Sequence, residues 1–212
     1  EEVCRLHGID KIPATPPRGA HGSNEFDAVY DVIAEARRIL SGLGLNEAQG
    51  QTLISKAECR VQSAEVVALA NPLSSDMDVL RPSLLPGLIH SLRHNVTRKN
   101  NSVALFEVGK VFRAVPADRQ AGGLCPKETR HLAIALTGLR QAPFWSGAER
   151  DARFDAADLK GILEEFLEQF GVRGVQFTRR DGAGEFFVDS ATVTLGGKLP
   201  LGELGLLHPV LA

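Results

Sequence analysis

A chain of 212 residues, 43% hydrophobic and 24% charged, has the composition of a globular domain and excludes wholesale disorder, a collagen-like repeat or a coiled coil. At this length roughly 70% of the unfolded chain's surface can be buried, enough for a core without disulfides. The formal net charge of −2 argues against a generic nucleic-acid binder, so any RNA contact belongs to a local patch.

No apolar run approaches the roughly 18 residues of a membrane span, and no membrane association is expected. The cysteines, Cys4, Cys59 and Cys125, are odd in number, far apart and in no CxxC pair. A disulfide framework or a structural zinc site is not expected, and a reducing, cytoplasmic setting fits. Glu1 is followed by neither a basic n-region nor an apolar h-region, so no signal peptide is read. The chain reads as a piece of something longer.

In chain order, residues 1–7 have helical character, with Gly8 as a stop. Residues 13–22, PATPPRGAHG, form a linker and a domain boundary. The organisation expected is a stub of a preceding module plus linker over 1–22, then one domain over 23–212. Ser23 or Asn24 can cap a helix running to Leu40, with Phe26, Val29, Ile33 and Leu40 on one face and Gly42 and Gly44 as its end. Short β-type runs at 51–54 and 65–70 precede the turn-rich NPLSSDMDVLRPSLLP. Pro82 is placed in the first turn of a helix over 83–98, whose stripe is Leu84, Leu85, Leu88, Leu92 and Val96.

VALFEV (103–108) and KVFRAV (110–115) read as two strands split by Gly109, followed by a loop over 116–127 and a strong strand at 130–139. Asp155 is the expected N-cap of a helix over 156–170, with Phe154 stapling onto Leu159. Its apolar face is Leu159, Ile162, Leu163, Phe166, Leu167 and Phe170, and Gly171 closes it. Residues 172–207 alternate in glycine-punctuated β-type runs. Strands arrive in clusters between helices, which predicts an α+β fold with a mainly antiparallel sheet flanked by helices.

The chemistry that residue spacing can reveal is sparse. There is no GxxxxGK[ST], no GxGxxG after a strand and no GxSxG. His90 and His94 have a metal-ligand spacing, but Ser91, Leu92 and Arg93 lie between them, the HExxH base is missing and Arg93 repels a cation. A polar helix face is the better reading. Glu164, Glu165 and Glu168 fall opposite an apolar stripe as a solvated face. Arg93, Arg98 and Lys99 at the end of the helix 83–98 could meet RNA, or could simply complement the helix dipole.

Residues 71–88 (NPLSSDMDVLRPSLLPGL), 93–100 (RHNVTRKN) and 103–112 (VALFEVGKVF) resemble the β chain of bacterial-type phenylalanyl-tRNA synthetase. EEVCRLHGIDKIP (1–13) resembles the end of the module preceding that chain's synthetase-like domain, and LGELGLLHP (201–209) a later sheet segment. The resemblance implies a class II aminoacyl-tRNA-synthetase-like core that has lost catalysis and packs against the catalytic α chain of an α2β2 enzyme. That enzyme joins phenylalanine to tRNA(Phe), with ATP bound by the α subunit.

In class II synthetases a motif-2 strand carries Arg and, two residues on, Glu. Here the matching positions are Arg113 and Val115, and a valine cannot accept a hydrogen bond from an adenine amino group. Arg113 is therefore a degenerate motif-2 position, no catalytic residue is expected, and the chain alone is expected to be inactive. By the order of elements, the helix 24–41 stands where the family places its subunit interface. Phe26, Val29, Tyr30, Ile33, Arg37 and Leu40 are the candidates to meet the α chain. The resemblance also implies Mg²⁺ held in the preceding module, with Glu1 and Glu2 matching two ligand positions of an incomplete set. Where the family has a His-Pro-Gly-type turn near 185–191, this sequence departs with EFFVDS. The alternative is a class II synthetase-like domain with its own nucleotide or amino-acid ligand, motivated by the retained Arg113.

Overall fold

A computed structural model describes residues 2–15, 28–59, 66–116, 124–141, 145–147, 150–182 and 186–211. The chain divides into two compact units, one running to Val32 and the other starting at Ile33. In the first unit, α1 (Glu2–His7) is followed by a short 3₁₀ turn, Ile9–Lys11. Gly8 makes that sharp exit at φ +94°, a backbone region that disfavours a β-carbon. No residue of α1 is buried.

Helix α2 (Ala28–Gly42) crosses the boundary between the units. Its expected caps, Ser23 and Asn24, lie outside the described residues. Its C-terminal end falls at Gly42, with Gly44 at φ +89°.

The second unit is built around a long hairpin. Strand β5 (Val103–Pro116) pairs antiparallel with β6 (Leu124–Thr137), with Phe106 opposite Ile134 and Arg113 opposite Lys127. The short β1 (Asn46–Glu47) runs parallel to β5. A small sheet of order β2-β4-β3 gathers β2 (Leu53–Ile54), β3 (Val67–Ala68) and β4 (Val79–Leu80). The third sheet is the meander β7 (Val175–Arg180), β8 (Phe187–Leu195) and β9 (Leu199–Leu207). Among the described residues, every strand pair apart from β1 with β5 is antiparallel, so the α+β expectation holds.

Two-residue periodicity explains the core. On one face of the hairpin, Phe106, Ala104, Val108, Leu132, Ile134 and Leu136 pack with Leu40 and Leu45. Ile162 and Phe166 of α4 (Ala156–Gln169) join them. On the opposite face, Val103, Leu105, Ala133 and Ala135 meet Leu88 and Leu92 of α3 (Leu85–Thr97). Phe106, fully buried, contributes about 1.5–3 kcal/mol by leaving water.

Three sequence expectations change. Gly109 does not split β5. A β-carbon there would lie 2.4 Å from Arg81 Nη2, so the glycine makes room for a side chain inside a continuous strand. The loop expected over 116–127 is shorter, because the partner strand continues back to Leu124 and is itself extended. Finally, the proline in the first turn of α3 is Pro86 and not Pro82, and the Ser83 hydroxyl accepts from the Leu85 N–H. Asp155 does cap α4: its carboxylate accepts from Ala157 and Asp158 N–H, and the Asp158 carboxylate accepts from Asp155 N–H. Within the departing EFFVDS stretch Glu185 lies outside the described residues and β8 starts at Phe187, with a register shift between Phe187 and Asp189.

Candidate functional site

Within the second unit, a groove of about 730 Å³ opens beside the β5–β6 hairpin. One wall is β6 from Arg130 to Ile134, another is β9 from Leu201 to Gly205, and α4 supplies Leu159, Leu163 and Phe166. Arg113 reaches this groove from β5, together with His131 and Arg180. Arg180 donates to the Glu203 carboxylate at 2.8 Å. Desolvation, then the Arg113 guanidinium, hold the His131 imidazole below its ordinary pKa.

The groove thus has cationic groups over an apolar lining. A strand-borne arginine can contact an anionic oxygen by charge-assisted hydrogen bonds. Two residues on, Val115 is half-buried and pairs with Cys125 across the hairpin.

Beneath the hairpin lies a buried ion pair, Arg81 with Glu107. Arg81 and Glu107 are 6% and 3% exposed, and Arg81 Nη1 donates to Glu107 Oε1 at 2.6 Å. Arg81 Nε donates to the Lys110 carbonyl and Nη1 to that of Gln51. Its own backbone bridges Thr52 and Phe112. One arginine therefore ties the loop before β2, the end of β4 and the middle of β5, a few residues from Arg113. Glu107 Oε2 is buried without a hydrogen-bond partner, against Gly50, where an added β-carbon would sit 3.0 Å away. A glycine at 109 beside Glu107 was the available signal.

The other candidates separate. Val29 and Tyr30 are 57% and 73% exposed, Ile33 is half-buried, and Arg37 is exposed and paired with Glu47. Leu40 is fully buried against Leu45 and Phe106, so it leaves the set of interface candidates: its own core occupies it. Phe26 lies outside the described residues. So does Glu1, while Glu2 is exposed and paired with Arg5. Among the described residues no group of three His, Cys, Asp or Glu could hold a metal ion. A hard cation such as Mg²⁺ needs about six oxygens, so the described residues do not fit it. His94 Nδ1 accepts from the donor-only Arg98 guanidinium at 2.8 Å, which withdraws it from a metal pair with His90. Glu164, Glu165 and Glu168 are exposed on α4.

The architecture is that of a class II aminoacyl-tRNA synthetase core. The crystal structure of pyrrolysyl-tRNA synthetase from Desulfitobacterium hafniense superposes with a TM-score of 0.59 at 18% identity. It covers 82% of this chain and 57% of that one. The family model described as "Phenylalanyl tRNA synthetase beta chain CLM domain" matches residues 12–212, and the chain belongs to that family. A phenylalanine–tRNA ligase β subunit of Bacillus cereus is 36% identical over 99% of this chain. That of Novosphingobium aromaticivorans is 37% identical over all of it. The chain spans about a quarter of these relatives' length, 26% in each case. No described helix is long and apolar enough to cross a membrane.

Proposed function

We propose that this chain is the non-catalytic, architectural domain of a phenylalanine–tRNA ligase β subunit, packing against a catalytic α chain in a cytoplasmic α2β2 enzyme. In that assembly the α chain binds ATP and joins phenylalanine to tRNA(Phe). The reading is carried by one observation: Arg113 reaches the groove from a motif-2-like strand, while the position two residues on is Val115. An anion contact without its purine-reading partner does not assemble an adenylate site. The exposed Val29 and Tyr30, with half-buried Ile33 and exposed Arg37, are the surface offered to the α chain. Mg²⁺ in the full-length protein would be completed by acidic residues beyond Glu1 and Glu2, and no step of this reading runs through it.

The test has two arms. The chain alone should give no ATP–pyrophosphate exchange with phenylalanine, and robust exchange would refute the reading. It should co-elute with the cognate α chain, and Val29→Asp with Tyr30→Asp should abolish co-elution while the fold persists. The second reading, a ligand of its own, is favoured by the groove beside Arg113. A ligand at 100 times its Kd adds about 2.7 kcal/mol, so thermal shift with millimolar ATP or amino acids decides it.

A further inference from the structure

Among the described residues, Arg37, Arg38, Arg140, Arg179 and Arg180 each hold a carboxylate. The outer face of α3 gathers cations that hold none. His90, Arg93, His94 and Thr97, spaced three and four apart, share one face and line a shallow cleft of about 340 Å³. Arg93, Arg98 and Lys99 are exposed, and none forms an ion pair with a described carboxylate. The sequence between Asp78 and Glu107 contains no acidic residue, and Glu107 is buried with Arg81. Arg98 bonds only within its own helix, to the ring and the carbonyl of His94. Because the guanidinium only donates, His94 Nδ1 is the acceptor and Nε2 carries the ring hydrogen.

We propose that this face of α3 is a docking surface for the phosphate backbone of an RNA helix. The helix-dipole reading accounts for cations in a last turn, but Arg93 lies before that turn of α3 and the dipole asks nothing of it. From His90 to Arg98 the helix rises about 12 Å. A duplex strand presents a charge roughly every 3.4 Å of axis, so the strip matches about three successive phosphates. The donors are compact, outward and without acidic neighbours in sequence, which is the electrostatic footprint of backbone contact and not of base reading. A chain of net charge −2 needs such a local strip for any polyanion to approach it.

The inference rests on the proposed function only for the choice of probe, tRNA(Phe). The experiment uses the complete α2β2 enzyme carrying R93E, R98E and K99E in the β chain, with a milder R93Q, R98Q and K99Q variant beside it. Transfer-RNA affinity is measured across a salt series, with pyrophosphate exchange and subunit co-elution as parallel readouts. The expected result is binding weakened about tenfold or more at 0.1 M salt, with the log–log salt slope shallower by about 2.7. The milder variant should fall between, and exchange and co-elution should be unchanged. An unchanged Kd and slope overturns the proposal. So does loss of co-elution in both variants, which would make the face a protein interface. Failure of the wild-type subunits to co-elute would instead count against the function proposed above.

Discussion

Replacing Glu107 by alanine should remove the partner of a buried cation. Arg81 would keep its bonds to the Lys110 and Gln51 carbonyls but lose the carboxylate at 2.6 Å, with 7% of its side chain exposed. Breaking a buried pair by removing one partner costs about 3–5 kcal/mol, because the remaining charge cannot reach water. Two features place Glu107→Ala at the low end, about 3 kcal/mol. The carbonyl acceptors still hold the guanidinium, and Oε2 has no hydrogen-bond partner to lose. With a urea m-value of about 2–3 kcal/mol/M, the unfolding midpoint should fall by about 1–1.5 M.

The double variant Arg81→Met, Glu107→Leu removes both charges and leaves none stranded. It should therefore be more stable than Glu107→Ala, and short of the wild type because the Lys110 and Gln51 carbonyls lose their donor. Urea titrations of the single and double variants, followed by circular dichroism, give the comparison. A fall under about 0.3 M for Glu107→Ala, or a double variant less stable than the single, would refute the argument that an uncompensated charge is what costs stability.

Three further outcomes follow from the same geometry. Gly109→Ala places a methyl group 2.4 Å from Arg81 Nη2 and 2.9 Å from Leu84 Cδ2, so it should destabilise by about 2–4 kcal/mol and much less in an Arg81→Met background, as thermal melts would show. Asp155→Ala should lower stability at neutral pH: the backbone N–H groups of Asp158 and Ala157, with Arg140, hold this carboxyl below its ordinary pKa of 3.8. A depressed carboxylate contributes above its unfolded pKa and is lost as pH falls through the folded one, so the gap from wild type should narrow as melts are taken at pH values falling below 3.8. Native-state alkylation followed by mass spectrometry should label exposed Cys4 and Cys125 and spare Cys59, whose thiol is pushed up by burial and by Asp78 and Glu58.

Amphipathic periodicity alone was enough to place α3 and α4, and the residues of NPLSSDMDVLRPSLLPGL and VALFEVGKVF were enough to indicate the family. Such patterns are legible because each records a local requirement: a stripe to bury, an N–H to cap, a strand face to alternate. The Asp155 cap is of this kind, since donor and acceptor lie within three residues.

Tertiary structure decided what depends on residues distant in sequence. Gly109 reads as a strand break until Arg81, from a different part of the chain, is seen to occupy the space a β-carbon would take. The start of β6, Leu124 to Lys127, has weak strand character by itself and is extended because β5 offers it a ladder of partners as far as Pro116. Leu40 and Tyr30 belong to the same amphipathic helix, yet one fills the core under Phe106 while the other is exposed. A helical pattern says which face is apolar, whereas the packing of elements brought together from across the chain determines how much of that face is covered.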